Sequence, residues 1–124
     1  MNAPLIEHAG QLARYAPPDH HGTVNVRLVE KDFCGTFEMI RGVVQPGGEA
    51  EPHAHETEHQ VMYVIAGEAE VTLGEAAPEI CGPGTIVRIP PKLSHRVVCH
   101  GAEPLDVVIV YSPPLPKRAD TPLE

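Results

Sequence analysis

Histidines at three nearby positions are the residues of this sequence best suited to do chemistry. His53, His55 and His59 stand within seven residues, in a stretch that is otherwise acidic and apolar. Imidazole is the commonest protein ligand for metal ions. Residues two apart on an extended strand point to the same face, so His53 and His55 can reach one point in space. The spacing predicts a metal site carried by a strand. His95, after the turn at Pro90–Pro91, is the candidate ligand from elsewhere in the chain.

The elements that must position these histidines are short strands. The chain has 124 residues, the size of one domain, and 42% of them are hydrophobic, which is typical of a globular protein. Short apolar runs with alternating polarity are separated by turns rich in Gly and Pro. At least seven such runs at spacings of about ten residues predict an all-β sandwich or barrel. The predicted strands are 22–29, 35–44, 60–67, 68–74, 78–80, 81–90, 95–100 and 105–112.

The two ends of the chain differ in composition from its centre. Residues 1–20 contain several prolines and are predicted to form an N-terminal arm. Residues 113–124 are Pro-rich and polar and are predicted to form a C-terminal tail. The β domain then occupies residues 21–112. We expect the arm and the tail to pack on a neighbouring subunit or to stay mobile.

The charge balance restricts the partners of this chain. Nine Lys and Arg stand against 17 Asp and Glu, a net charge of −8, which argues against nucleic acid and anionic membranes as partners. The longest apolar run, residues 107–111, is far too short to span a bilayer, and residues 1–4 open no signal peptide. We therefore expect a soluble cytoplasmic protein. Its cysteines, Cys34, Cys81 and Cys99, have no paired spacing and are expected to be reduced core thiols.

Two spaced motifs around the histidines resemble those of the cupin superfamily. The first family motif is G-x5-H-x-H-x(3,4)-E-x6-G, and its spacing recurs here at Gly47, His53, His55, Gln60 and Gly67. Gln60 stands where the family usually has Glu. The resemblance implies an all-β fold of the double-stranded β-helix or jelly-roll type, with the cupin barrel at residues 21–112.

The second family motif, G-x5-P-x-G-x2-H-x3-N, is matched further along the chain. Its spacing recurs at Gly84, Pro90, Lys92, His95 and Cys99, with Lys92 in place of Gly and Cys99 in place of Asn. The match of both motifs together is more specific for the family than a match of either motif alone, because H-x-H also occurs by chance. Together the motifs make the chain similar to small single-domain bacterial cupins.

The resemblance implies a metal centre inside the barrel. Its ligands would be His53, His55, His95 and the residue at the Glu position of the first motif. Gln60 holds the family register and offers an amide oxygen, whereas His59 offers the chemically better imidazole. Adjacent residues of a regular strand face opposite ways, so only one of the two can point inward without a bulge. The register favours Gln60 and leaves His59 as the alternative.

Either choice leaves the metal with uncharged ligands. A divalent ion then keeps its full charge and acts as a stronger Lewis acid toward anionic or enolate oxygens. Nitrogen-rich coordination suits iron, nickel, copper, zinc or cobalt, and manganese also occurs in the family. We expect one of these divalent transition metals as the cofactor.

These implications lead to a metal-dependent enzyme that acts on a small molecule. An oxygenase with a metal-chelating, oxygenated organic substrate is the first expectation, followed by cyclase, isomerase or decarboxylase chemistry. The scaffold hosts many activities, so a non-catalytic ligand-binding or sensing module is the main alternative and metal storage a lesser one. Apolar sheet faces and free edges further predict a homodimer.

Other polar residues near the histidines are expected to be exposed. Glu56 and Glu58 are predicted to lie in a solvated acidic loop. His20 and His21 follow two prolines of the arm and are expected at the surface. An arm that folds over the barrel would instead place one of them near the metal.

Overall fold

Strands dominate the computed structural model, which describes residues 4–123. Helical structure in that range is a 3-10 turn at Ala9–Gln11, and no helix of the described chain is long and apolar enough to cross a membrane. The strands are β1 (Arg14–Ala16), β2 (His20–Val29), β3 (Glu38–His53), β4 (His59–Ala66), β5 (Glu68–Leu73), β6 (Glu79–Cys81), β7 (Ile86–Ile89), β8 (His95–His100), β9 (Leu105–Ser112) and β10 (Thr121–Leu123).

The strands form the two sheet regions of a jelly roll. One has the order β10-β1-β2-β3-β8-β5-β6, and the other runs from β3 through β9 and β4 to β7. The paired strands are antiparallel, so tight turns and short crossings suffice to connect them. This arrangement confirms the predicted all-β double-stranded β-helix.

Strand β3 belongs to both sheet regions. Residues 38–44 pair with β9, and residues 49–53 pair with β8. The predicted bend at Pro46, Gly47 and Gly48 lies where the partner changes, and Gly47 has a φ of +81°, which glycine adopts without steric cost. The bend therefore carries the end of β3, with His53, across to β8.

Alternating burial along the strands builds the core. In β4 every second residue from Gln60 to Val64 is buried, and the residues between them face outward. Removal of the inward apolar side chains from water drives the two sheet regions together. The main cluster comprises Val44, Ala50, Met62, Val64, Ala69, Val71, Cys81, Val87, Ile89, Val97, Cys99, Leu105 and Val107.

The predicted arm and tail pair with each other. Strand β1, from the arm, lies between β2 and β10, and β10 comes from the tail. Leu115 of the tail is buried with Ile40 and Tyr111 in a second apolar cluster. Residues 1–3 of the predicted arm and residue 124 of the predicted tail lie outside the described residues.

The cysteines have two kinds of environment, and all three are free thiols. Cys81 and Cys99 are buried, as expected. Cys34 is exposed, so the expectation of a core thiol is wrong at this position. The reason is local, because Cys34 lies in the turn between β2 and β3 rather than on a strand.

Candidate metal centre

Backbone pairing brings together the three histidines that the motifs selected. His53 is the last residue of β3 and pairs in register with His95, the first residue of β8. His55 lies two residues past the end of β3, in a loop. The amide of Lys92, in the turn before β8, donates a hydrogen bond of 2.6 Å to the His55 carbonyl. The loop and the turn are thereby held together, and both motifs contribute to one site.

The three imidazoles face one another closely. Ring centroids lie 4.3 Å apart for His53 and His95, 5.0 Å for His53 and His55, and 5.4 Å for His55 and His95. One nitrogen of each ring lies within 4.8 Å of the other two. Neutral imidazoles gain little from facing one another edge-on at such distances. A shared cation therefore explains their convergence better than packing does.

Backbone carbonyls orient two of these rings. His53 Nδ1 donates to the Glu51 carbonyl at 2.6 Å, and His95 Nδ1 donates to the Leu93 carbonyl at 3.1 Å. A proton held at Nδ1 leaves the lone pair on Nε2, the tautomer that a metal ligand needs. Nε2 of His55 and of His95 is buried and has no hydrogen-bond partner among residues 4–123. These buried acceptors fit a metal ion.

The two candidates for the fourth ligand face opposite ways. Gln60 is 5% exposed, whereas the neighbouring His59 is exposed. The Oε1 atom of Gln60 is buried, and no group in the described part of the chain donates a hydrogen bond to it. An unsatisfied buried oxygen costs free energy unless a ligand completes it. Gln60 rather than His59 as a ligand remains a prediction, which this burial supports.

Burial favours the uncharged form of two imidazoles of the cluster, those of His55 and His95. It is the largest cause that lowers the pKa of His55 to about 4, and the neighbouring His53 adds to the effect. Burial likewise lowers the pKa of His95, although the carbonyl of Leu93 opposes the shift. At neutral pH these rings therefore present free lone pairs, the form that binds a transition metal.

His20 is a fourth histidine beside the cluster. Its ring centroid lies 6.3 Å from that of His53, and its Nδ1 atom is 3.1 Å from the Thr23 hydroxyl. Burial is the largest cause that lowers the pKa of His20 to about 4. The expectation of a surface position holds for His21, which is exposed, whereas half-buried His20 agrees with the alternative that the arm places one of the two histidines near the site. Pairing of His20 with Ala50 of β3 brings it to the site, and no local sequence pattern contains that information.

Glu58 also departs from expectation. It is 8% exposed rather than solvated, and it accepts a hydrogen bond of 2.9 Å from the Thr57 hydroxyl. Its charge acts on His55 by raising the pKa of that ring, against the larger effect of burial. The prediction of a solvated loop remains correct for Glu56, which is exposed. Glu58 precedes β4 directly, so the inward turn of the chain there buries it.

Tyr111 closes the site on the side of β9. Its ring meets the His55 ring edge-on, with 5.3 Å between the centroids. Burial raises the pKa of its hydroxyl, so the phenol stays protonated. Tyr111 pairs with Gln60 across the β4–β9 ladder. The site therefore has imidazoles on one side and a buried aromatic wall on the other.

Comparison with known proteins agrees with this fold. Residues 41–111 match the family model Cupin_2, described as a cupin domain. That match spans more than half of the chain and includes all three clustered histidines. The chain belongs to the cupin family, as the two motifs predicted.

Named relatives are similar to this chain over different lengths. L-ectoine synthase of Bordetella petrii is 31% identical over 90 residues, which cover 71% of this chain and 65% of that protein. The chain thus spans slightly less than two thirds of that relative.

Two solved structures share the fold. The polyketide cyclase RemF of Streptomyces resistomycificus is 23% identical, with a TM-score of 0.78 over 98% of this chain and 87% of RemF. KdgF of Halomonas sp. is 24% identical, with a TM-score of 0.67 over 74% of this chain and 79% of KdgF. At these identities the structural similarity establishes the shared architecture.

Proposed function

We propose that this cupin is a metal-dependent enzyme that acts on a small oxygenated organic molecule. His53, His55, His95 and Gln60 would hold a divalent transition metal. The observation that carries the proposal is the set of buried acceptor atoms without partners, His55 Nε2, His95 Nε2 and Gln60 Oε1. When bound, the metal supplies Lewis-acid polarisation of a carbonyl or enol oxygen.

The chain's own residues define the environment of the substrate. The carbonyls of Glu51 and Leu93 hold two imidazoles in the ligating tautomer. Tyr111 and the apolar core behind it exclude water from one side. His20 stands next to the cluster without belonging to it, and its ring nitrogens can donate or accept a proton at the substrate.

Ring closure or a related rearrangement is the reaction class that we place first. An uncharged ligand set leaves the metal strongly electrophilic, which suits polarisation of a carbonyl. One solved structure of the same fold carries a name of this kind, the polyketide cyclase RemF. Oxygenase chemistry, the first expectation from the sequence, is the second candidate, because an imidazole-rich site also suits iron.

Metal analysis with matched variants tests the proposal. Protein purified without an affinity tag is expected to contain close to one transition-metal ion per chain, and His95→Ala is expected to lose it. His59→Ala is the control and is expected to keep it, since His59 is exposed. A metal content that is unchanged in His95→Ala would contradict the proposed centre.

Oxygen uptake separates the two reaction classes. The purified, metal-loaded protein is incubated with diketones and other chelating oxygenated compounds in an oxygen electrode. Substrate conversion without oxygen consumption supports ring closure or rearrangement, and stoichiometric consumption supports an oxygenase. Ligand binding that is unaffected by removal of the metal, with no conversion, would instead indicate the non-catalytic binding module.

We also propose that the partner of this chain is a second copy of itself. Three outward residues of β4 are between 39% and 46% exposed: Val61, Tyr63 and Ile65. Ile86 of β7, which pairs with Tyr63, is 48% exposed. An apolar sheet face of this kind is usually covered by a partner. Sedimentation is expected to give a dimer mass, which Tyr63→Glu lowers to that of the monomer. A monomer of the unmodified protein at micromolar concentration would exclude the dimer.

A further inference from the structure

Two buried side chains on neighbouring strands carry polar atoms without a hydrogen-bond partner. Tyr15 of β1 is 6% exposed and Asn25 of β2 is 4% exposed, and the two residues pair across the β1–β2 ladder. Neither the Tyr15 hydroxyl nor the Asn25 Oδ1 atom forms a hydrogen bond within residues 4–123. A buried polar atom without a partner costs free energy, so two such atoms side by side are expected where a polar ligand binds.

Both side chains face the interior of the barrel. Asn25 lies opposite Gly42 of β3, and its Oδ1 atom would be 2.8 Å from a Cβ at that position. The same Cβ would lie 3.6 Å from Cγ2 of Val107, a residue of the main core cluster. The Asn25 amide therefore occupies the room that a side chain at position 42 would take. Tyr15 stands directly opposite Asn25 and so shares its face of the sheet.

Neighbouring contacts hold the Tyr15 ring in place. The guanidinium of Arg27 lies over this ring, 4.2 Å from its centroid, and forms ion pairs with Asp120 at 2.7 Å and Glu38 at 3.5 Å. Burial is the largest cause that raises the pKa of Tyr15, so the phenol keeps its proton at neutral pH. Arg27 and then Asn25 oppose this rise, and Asn25 does so without reaching hydrogen-bond geometry. Because Arg27 is already paired, this part of the barrel suits a neutral group better than an ion.

Strand β2 connects these atoms with the histidine cluster. His20 lies 6.3 Å from His53 between ring centroids, and its Nδ1 atom is 3.1 Å from the Thr23 hydroxyl. Thr23 is 6% exposed and stands two residues before Asn25, so the two residues share one face of the strand about 7 Å apart. A row of polar side chains therefore runs along the inner face of β2 from the cluster to Asn25 and Tyr15.

From this arrangement we propose that Tyr15 and Asn25 bind a hydroxyl group of the substrate, at a place here called the hydroxyl subsite. A hydroxyl group can accept a hydrogen bond from the Tyr15 O–H and donate one to Asn25 Oδ1, which satisfies both atoms at once. A carbonyl or ether oxygen would leave Asn25 Oδ1 without a donor, and an ammonium or carboxylate group would be buried without a counter-charge.

The hydroxyl subsite narrows the substrate class. The substrate would be a metal-chelating compound that also carries a hydroxyl group, several bonds away from its chelating oxygens. The inference rests on the proposed function, because it assigns a second part of the substrate of the same site.

Two isomeric probes test the hydroxyl subsite without depending on the metal. 1-Butanol and diethyl ether have the same composition, but only the alcohol has a hydrogen to donate. Each is titrated into 15N-labelled protein, both metal-free and zinc-loaded, while the side-chain amide resonances of Asn25 are followed. The titrations are repeated on Tyr15→Phe and on Asn25→Leu, in which the Thr23 backbone amide reports binding. Tyr63→Phe is the matched control, because Tyr63 is 46% exposed on the outer face of β4.

1-Butanol is expected to shift the Asn25 amide resonances at millimolar concentration, and diethyl ether is not. Tyr15→Phe and Asn25→Leu are each expected to weaken the binding of 1-butanol about three- to tenfold, as follows from the loss of one hydrogen bond. Tyr63→Phe is expected to keep the affinity. Tyr15→Phe is also expected to melt no lower than the unmodified protein, because its hydroxyl has no partner in the free protein.

Any of four results would overturn the hydroxyl subsite: no shift with 1-butanol, equal binding of the two isomers, unchanged affinity in both Tyr15→Phe and Asn25→Leu, or a lower melting temperature of Tyr15→Phe. The last result would make the Tyr15 hydroxyl a structural group, paired through a buried water molecule. Alcohol binding in a protein that takes up no metal would refute the metal centre and retain the hydroxyl subsite. Zinc uptake without alcohol binding would do the reverse.

Discussion

Replacement of Gln60 by Met tests which residue completes the metal centre. Met has nearly the same length and volume as Gln but offers no amide oxygen, so the core stays filled while the candidate ligand disappears. Gln60 is 5% exposed and its Oε1 atom has no partner among the residues described. The substitution is therefore expected to raise thermal stability in the absence of metal and to lower it in the presence of metal.

In metal-free protein the substitution is expected to stabilise the fold. A buried polar atom without a hydrogen bond costs about 1 to 3 kcal/mol, and the thioether avoids this cost. For a chain of this size, 1 kcal/mol corresponds to a change in Tm of about 3 to 6 °C. Gln60→Met is therefore expected to melt several degrees above the unmodified protein in the presence of a chelator.

In metal-loaded protein the same substitution is expected to remove stabilisation. Free metal at about ten times its Kd stabilises the native state by about 1.4 kcal/mol, and a tenfold loss of affinity reduces this to about 0.4 kcal/mol. Thermal melting with and without zinc, nickel or cobalt measures the difference directly.

His59→Ala provides the comparison for this prediction. Because His59 is exposed, its removal is expected to change the melting temperature little in either condition. The reasoning would be refuted if metal raised the melting temperature of Gln60→Met as much as that of the unmodified protein and no longer raised that of His59→Ala. His59 would then be the ligand.

Three further substitutions test the local structure around the site by chemical denaturation. Gly67→Ala is expected to lower the free energy of unfolding by about 2 to 5 kcal/mol, because the residue has a φ of +76° and a Cβ there would collide with the Pro104 carbonyl. A loss below about 1 kcal/mol would contradict this steric argument. Lys92→Gly is expected to stabilise by about 1 kcal/mol, because Lys92 holds a φ of +72°; a loss of stability would argue against that conformation. Leu115→Ala is expected to cost about 2 to 4 kcal/mol by opening a cavity beside Tyr111, and a loss of stability below about 0.5 kcal/mol would show that Leu115 is not anchored in the core.

Local patterns in the sequence account for the architecture and for the cluster of three histidines. Strand assignments depend on alternation with a period of two, which each segment carries by itself. The predicted 60–67, 95–100 and 105–112 agree with β4, β8 and β9 to within a residue at either end. The expectation that one strand carries both histidines of the His-x-His pair holds for His53 only, because β3 ends there and His55 lies in the loop that the Lys92 amide holds. The spacing of the two motifs then predicted that His95 joins them, and the rings do converge.

Tertiary structure alone decided what surrounds that cluster. His20 comes from a segment that looked like an arm, and it reaches the site because β2 pairs with β3, which sets His20 opposite Ala50. Glu58 is buried by the path of the chain into β4. Such contacts join residues many positions apart, and their free energy depends on burial and pairing that appear only when the whole chain has folded. The sequence by itself therefore determined the fold and the three histidines that converge, whereas the folded chain determined which charged and polar groups stand beside them.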